Sequence, residues 1–232
     1  MNTRGLQNTL FQFRRRLKFL LPPRFKGYYR QLKNTEFYLL DVGCGGDSAS
    51  QAKTWFPRCR YYGIDKGESN ISESELTLMD HFYKIDLSKD ALTIVPDKFF
   101  DVVIFNHVIE HLPNGLAVLE KLPEKLKPGG KLYVEFPSVR SLSFPSMRGR
   151  GTLHFCDDCT HIRLYDLKET ANVLLSSNMR IIKGGVRREW WKILLFPLSF
   201  LFTCIEGHPA GAFWDIMGFA DYIYAEKKQT GS

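Results

Sequence analysis

The stretch Leu39-Leu40-Asp41-Val42-Gly43-Cys44-Gly45-Gly46-Asp47-Ser48 limits what this chain can become more than any other. An apolar strand candidate runs into glycines suited to a tight turn, and a helical stretch begins directly behind them. Such a turn lets backbone amides approach a ligand closely, and the helix start receives a negative group. Asp65 lies twenty residues after Gly45, at the end of the next strand candidate, placed to accept hydrogen bonds from ribose hydroxyls. A dinucleotide is the obvious competitor. Its fingerprint wants a very small residue at the sixth position, where this chain has Ser48, and Asp41 would repel a pyrophosphate. A carboxylate there suits an ammonium group, so the cofactor expected is a nucleoside with an amino-acid tail.

The rest of the chain keeps a strand–helix rhythm. Strand candidates are Phe37–Val42, Arg60–Ile64, Phe82–Ile85, Phe100–Phe105, Lys131–Phe136, Met179–Val186 and Phe219–Ala225, with helical stretches at Ala49–Trp55, Leu116–Leu126 and Leu167–Ser176. Alternation of this kind predicts an α/β fold: a doubly wound, mostly parallel seven-stranded sheet with helices on both faces. Residues 138–164, rich in Ser, Arg and Gly without a period, read as a lid loop. Residues 187–214 read as an apolar insertion.

Charge separates the first 35 residues from the remainder of the chain. They hold nine Lys/Arg and no acid, while the remainder carries 23 basic against 25 acidic residues. Leu6, Leu10, Phe13, Leu17 and Leu20 add a helical apolar stripe that ends at Pro22-Pro23. Residues 1–35 are therefore expected to form a basic amphipathic helix or arm for an anionic surface, or a solvated helix packed on the domain at 36–232. Hydrophobic residues at 44% and charged residues at 25% exclude a disordered or collagen-like chain. No secretory signal is legible, and five cysteines without one point to reduced thiols in a cytoplasmic protein.

Five motifs in order resemble the class I S-adenosylmethionine-dependent methyltransferases over residues 36–137: Asp41-Val-Gly-Cys-Gly45, Tyr62-Gly-Ile-Asp65, Lys84-Ile-Asp86-Leu87, Phe100 to Pro113, and Leu126-Lys-Pro-Gly-Gly130. The resemblance implies S-adenosylmethionine as cofactor and an antiparallel last strand. It also implies that Gly43, Cys44 and Gly45 contact the methionine portion, with Asp41 steadying the turn and the ammonium. Asp65, followed by Lys66, would hold the ribose; Asp86 and the Leu87 amide would read the adenine edge. Asn106 and His107 would lie beside the sulfonium. Phe136-Pro-Ser138 with His154-Phe155, Asp157-Asp158 and Thr160-His161-Ile-Arg163-Leu-Tyr165 resembles a branch associated with glycans.

Two clusters invite a metal reading. His107-Val-Ile-Glu110-His111 matches an inverted zinc-protease signature, but Pro113-Asn114-Gly115 interrupts the helix such a site needs. Some nucleic-acid and quinone-precursor methyltransferases do place Glu and His at this helix around a divalent ion; here Glu110 and His111 are expected to cap the pocket wall. His154-Phe-Cys156-Asp-Asp-Cys159-Thr-His161 crowds four possible zinc ligands into eight residues, too tightly for one tetrahedral ion. No metal is expected at either place.

The activity expected is O-methylation of a sugar (glycan or lipid-linked) or another small hydroxylated acceptor. An alcohol must lose its proton as the bond forms, so a general base contributes roughly 10²–10⁴-fold. His161 is the first candidate, Asp158 its orienting partner or substitute, and His111 the reserve; Arg163 and Tyr165 are candidates to grip the acceptor. Methylation of RNA or protein is the enzymatic alternative, although only Tyr28-Tyr29 suggests a stacking platform and nucleic acid is not the expected partner. A non-catalytic cofactor-binding scaffold is the alternative of another class. The run Trp190–Ile205, sixteen residues broken by Lys192, Pro197 and Ser199, is too short to span a bilayer. It reads as a buried insertion, a homodimer surface, or a segment lying on the inner face of an anionic membrane.

Overall fold

Apolar residues alternating along short strands, with amphipathic helices between them, produce one sheet of seven strands. The computed structural model describes residues 21–90, 92–205 and 210–229. In chain order the principal elements are β1 (Phe37–Val42), α1 (Ser48–Trp55), β2 (Cys59–Asp65), β3 (His81–Lys84), β4 (Phe100–Asn106), α2 (Gly115–Lys125), β5 (Leu126–Pro137) and α3 (Leu167–Ser176). They continue with β6 (Met179–Val186), α4 (Trp190–Leu194), α5 (Phe196–Ile205), α6 (Ala210–Met217) and β7 (Ala220–Lys227). In space the strands run β3-β2-β1-β4-β5-β7-β6. The first five are parallel, and β7 lies antiparallel between β5 and β6. The doubly wound sheet with its antiparallel last strand is thus as expected.

This order creates the site. The chain moves outward from β1 to β2 and β3, then returns to the other side of β1 as β4. Connections leave β1 and β4 in opposite directions, so a crevice opens beyond their carboxyl ends. In register, Val42 faces Ile64 on one side and Phe105 on the other, which brings the ends of β1, β2 and β4 to one edge.

Each face of the sheet carries its own core. Leu40, Val42, Val103, Phe105, Leu132 and Val134 pack with Leu119 and Leu122 of α2 and Leu174 of α3. Leu39, Tyr61, Val102 and Ile104 point the other way, into an aromatic cluster with Trp55 and Phe56 behind α1.

Phe25, Tyr28 and Tyr29 belong to that second cluster. They come from the short helical turns Pro23–Lys26 and Tyr29–Leu32. Phe25 meets Phe56 edge to face at 5.4 Å, Tyr28 stacks on Phe56 at 5.6 Å, and Tyr29 meets Trp55 at 5.9 Å. Residues 21–33 are therefore built into the domain core, and the Tyr28-Tyr29 pair is buried where no base could stack on it. The amphipathic stripe from Leu6 to Leu20 lies outside the described residues. Residues 138–164 contain only short 3₁₀ turns at Val139–Ser143 and Phe155–Asp157.

Replacing a buried aromatic with alanine typically costs about 3–5 kcal/mol. Phe25→Ala should destabilise the protein by that amount in urea denaturation. A loss below about 1 kcal/mol would show that residues 21–33 do not belong to the core.

Candidate active site

The turn after β1 is shaped by contact on two sides. Gly43 has φ +74°, and a Cβ there would sit 2.2 Å from Val108 Cγ2, so no side chain fits. The amides of Gly43 and Cys44 both donate to the Ile64 carbonyl, at 2.8 and 3.0 Å. Asp65 completes the stitching: its carboxylate accepts from the Gly45 amide at 3.2 Å and the Lys66 amide at 2.8 Å. Gly43, Cys44, Gly45, Asp65 and Lys66 are thus brought together at the crevice edge. Asp41 is buried beneath the turn, where the Tyr61 hydroxyl donates to it at 2.8 Å. Burial pushes its carboxyl above the ordinary value, while Arg24 and the hydrogen bonds pull it back. At the far side of β2, Asp86 accepts from the Ser88 amide and hydroxyl at 3.1 and 2.6 Å, which hold its carboxyl below the usual range. Leu87 beside it is buried.

Across the crevice, β4 ends in Asn106 and then His107, which is held at φ +53°. The His107 ring is clamped: Nδ1 lies 3.1 Å from Glu110 Oε1 and Nε2 lies 3.1 Å from Glu135 Oε1. Trp214 and Phe219 pack over it, with ring centres at 5.3 and 6.3 Å. Burial alone would lower the imidazole pKa, but the two carboxylates overcome it and hold it up at about 9. Glu135, pushed up by burial, is brought down to about 2 by His107 and Arg187. His107 is therefore an imidazolium at neutral pH, with a proton on each nitrogen and no lone pair for base catalysis.

Arg187 extends the clamp. Its Nε stands 3.0 Å from Glu135 Oε1, and NH1 donates to Asp215 at 2.6 Å. Asp215 also accepts from the Glu189 amide at 2.7 Å. A cleft of about 290 Å³ is lined by Arg24, Asp47, Gln51, Asn106, His107, Glu135, Arg187, Lys192 and Trp214. Arg24 enters it from the segment before β1, donating to Ser48 Oγ at 3.2 Å and Gln51 Oε1 at 3.0 Å, both uncharged partners. Arg24, Glu135, Arg187 and Trp214 carry no motif, and sequence reasoning missed them. The one signal was charge at the end of predicted elements: Glu135 one residue before Phe136, and Arg187 one residue after Val186.

Glu110 connects this cleft to a second group. Its Oε1 serves His107; its Oε2 is buried and has no hydrogen-bond partner. His111 and His161 approach it, their potential donor atoms all within 4.8 Å of one another, and their rings lie 4.9 Å apart. His161 Nδ1 lies 2.7 Å from the Phe155 carbonyl and His111 Nδ1 lies 3.2 Å from the Thr160 carbonyl. Those acceptors place a proton on Nδ1 in both rings and leave each Nε2 a lone pair. One carboxylate oxygen and two imidazole nitrogens form a donor set that suits a divalent cation such as zinc.

Asp158 is 3.8 Å from His161 Nε2, but its short contacts are to the Thr160 amide and hydroxyl, and Thr160 in turn meets His111. Its orienting effect is therefore directed chiefly to His111. Arg163 pairs with Glu169 at 2.5 Å and lies over the Tyr165 ring, while Tyr165 is buried with its hydroxyl 3.3 Å from the Leu112 carbonyl. These contacts make Arg163 a structural ion pair and Tyr165 a core residue, leaving Tyr165 no surface for an acceptor. Cys156 and Cys159 are free and exposed, and both His154 nitrogens are used within the loop. The crowded His–Cys–Cys–His segment therefore does not converge on one point. Nor do His107 and His111 act as the pair a zinc protease requires, because the 3₁₀ turn Ile109–His111 ends there.

A glycine turn stitched to the acid-tipped second strand, in a sheet ordered 3-2-1-4-5-7-6, defines a class I S-adenosylmethionine-dependent methyltransferase. The chain belongs to the family described as "Methyltransferase domain", which matches residues 7–183. It is similar to the ubiquinone biosynthesis O-methyltransferases of Stutzerimonas stutzeri (31% identity over 98 residues, 41% of this chain and 42% of that one) and Idiomarina loihiensis (32% over 98 residues, 41% and 40%). The matched region thus spans about two-fifths of these relatives' length. Among solved structures, a SAM-dependent methyltransferase from Archaeoglobus fulgidus superposes with a TM-score of 0.56 at 21% identity, covering 97% of this chain and 100% of that one. Phosphoethanolamine N-methyltransferase 2 of Haemonchus contortus, in complex with S-adenosyl-L-methionine, gives 0.56 at 17% identity, covering 88% and 52%. These likenesses show the fold.

The clamp has a pH signature. The folded pKa of His107, about 9, lies above the ordinary value of about 6.5. Its contribution to stability is complete below pH of about 6.5 and is lost as pH rises toward the folded value. An imidazole NMR titration should find His107 protonated through neutrality, and Glu135→Gln should shift its midpoint clearly downward. An unchanged midpoint would show that Glu135 does not hold the charge.

Proposed function

We propose that this methyltransferase transfers the methyl group of S-adenosylmethionine to a hydroxyl of a small acceptor, in particular a sugar that is free, part of a glycan, or lipid-linked. The observation that carries this reading is the group Glu110, His111 and His161: two imidazoles with free Nε2 lone pairs beside an unpartnered carboxylate oxygen, under residues 138–164. That is a place for a proton leaving a hydroxyl. The O-methyltransferase names of the curated relatives support the same chemistry.

In this reading Asp65 takes the ribose hydroxyls, and Asp86 with the Leu87 amide takes the adenine edge. Gly43, Cys44 and Gly45 bring backbone to the methionine portion, with Asp41 fixing the turn from below. Arg24 faces the cofactor's carboxylate, its guanidinium hydrogen-bonded to the uncharged Ser48 and Gln51. Asn106 and the clamped His107 form the wall beside the sulfonium. The donor is already activated, so the protein mainly supplies position, an effect that reaches about 7–11 kcal/mol in well-oriented reactions.

His161 takes the hydroxyl proton at Nε2 while Nδ1 stays bonded to the Phe155 carbonyl, and Thr160 and Asp158 fix His111 beside it. Glu110, His111 and His161 are also the residues that would hold a divalent cation, whose chemistry there would be to polarise an acceptor oxygen. The basic leader is the only support for an RNA substrate, and the burial of Tyr28 and Tyr29 weighs against it.

Calorimetric titration with S-adenosylhomocysteine tests the cofactor half of the proposal. Asp65→Ala removes charge-assisted hydrogen bonds worth about 1.5–3 kcal/mol each and should weaken binding roughly tenfold or more. Equal affinity would displace the ribose from Asp65. His161→Ala should leave that affinity intact and lower turnover on a sugar acceptor by roughly 10²–10⁴-fold. Undiminished turnover would remove His161 from the chemistry.

A further inference from the structure

The helices α4, α5 and α6 present their apolar residues in an unusual direction. Phe196 and Phe200 of α5 stack with each other and against Phe213 of α6, with ring centres 5.2 to 5.7 Å apart, so one side of α5 is well packed. The opposite side is at least as apolar and faces water. Leu198, Leu201 and Ile205 of α5, at spacings of three and four, are 55%, 58% and 74% exposed, and Leu194 and Trp190 of the preceding α4 are 81% and 73% exposed. Scattered exposed leucines are ordinary, but a contiguous stripe with a tryptophan at its end marks an interaction surface. No helix among the described residues is long and apolar enough to cross a membrane.

Charge narrows the choice of partner. Lys183 and Arg188 are exposed beside the stripe, and Lys192 is partly exposed on α4. Two acids of the described residues here are turned inward: Glu189 is buried against Lys26, and Asp215 against Arg187. The leader adds five Lys/Arg between residues 1 and 20 with no acid. An apolar stripe, a tryptophan at its edge and the exposed cations Lys183 and Arg188 form the pattern of a helix lying in the plane of a bilayer.

We propose that the outer face of α4 and α5 docks on the surface of an anionic phospholipid bilayer, with the stripe from Leu194 to Ile205 among the acyl chains and the basic residues at the headgroups. The same helices border the active site. Lys192 of α4 lines the cleft around His107 beside Trp214 of α6, and Trp190 of α4 lines a cavity of about 630 Å³ that shares Pro23 and Arg187 with it. That cavity is also lined by Lys183 and Arg188 with Tyr222 and Tyr224, a setting for a phosphate next to a ring-shaped group. Docking therefore places the cleft beside the lipid, and this deepens the lipid-linked form of the acceptor proposed above. Lipid and cofactor binding are measured separately, so either reading can fail alone.

The test uses the full chain in flotation with vesicles of phosphatidylcholine, alone or mixed with phosphatidylglycerol. The wild type should float with the mixed vesicles and remain behind with phosphatidylcholine alone, and added salt should weaken the binding. Leu198→Glu with Leu201→Glu changes only exposed positions. It should lower vesicle affinity at least tenfold while leaving thermal unfolding and S-adenosylhomocysteine binding unchanged. Lys183→Glu with Arg188→Glu should remove the preference for phosphatidylglycerol. Equal flotation with both vesicle types, or a leucine variant that floats like the wild type, would overturn the proposal. So would light scattering that shows a dimer converted to monomer by the leucine substitutions, since a second copy of the chain would then be what covers this face.

Discussion

The imidazolium of His107 between Glu110 and Glu135 is the interaction on which the rest of the site depends. It joins the exit of β4, the 3₁₀ turn behind it and the end of β5 at one buried point. Removing water from three charges is expensive, and such a group persists only where each charge is compensated. Glu135 is shared among His107, Arg187 and the Tyr133 hydroxyl; Asp215 is shared among Arg187, the Glu189 amide and, at 3.7 Å, Lys192. Three cations thus face three carboxylates, and the set is neutral only when His107 is protonated. That requirement explains why the imidazole titrates so high and why it is a wall of the cleft rather than a base.

Much of this was legible in the sequence because it is local. The β1–α1 turn, the spacing to Asp65, and the strands Phe37–Val42 and Met179–Val186 follow from period and punctuation within a few residues. The site beyond the cofactor was less legible, because its partners meet across the sheet. Lys26 pairs with Glu189 and Trp214 with the Thr152 carbonyl, contacts separated by 163 and 62 residues. Composition left two readings of the basic segment open, an arm or a helix packed on the domain. A run rich in Lys and Arg reads as a solvated arm, yet Phe25, Tyr28 and Tyr29 within it fill the space between Phe56 and Tyr224. Spacing alone does not reveal a core built by three aromatics inside a basic segment.

Asp157 organises the loop that follows β5. It accepts from the amides of Met147, Leu153 and His154 and from the Ser146 hydroxyl, which overcome burial and hold its carboxyl far below the usual range. Its neighbour Asp158 bonds to Thr160, and Thr160 to His111. The two adjacent aspartates therefore divide the work. One folds the loop on itself, and the other ties it to the turn after β4. His161 is presented between them by the Phe155 carbonyl, with little of its side chain exposed. A loop without regular secondary structure is thereby fixed by its own side chains.

These two levels meet at α6. Asp215, on its inner side, anchors Arg187 and through it the His107 clamp, while Phe213 seats α5 and Trp214 covers the His107 ring. One helix thus holds the charged network of the cleft on one flank and the apolar helix pair on the other. Phe196 and Phe200 of α5 meet Phe213, the chain neighbour of Trp214 and two residues from Asp215. The exposed stripe and the buried charges are therefore mechanically continuous. Whatever holds α5 in place bears through α6 on the wall of the cleft that His107 and Trp214 form.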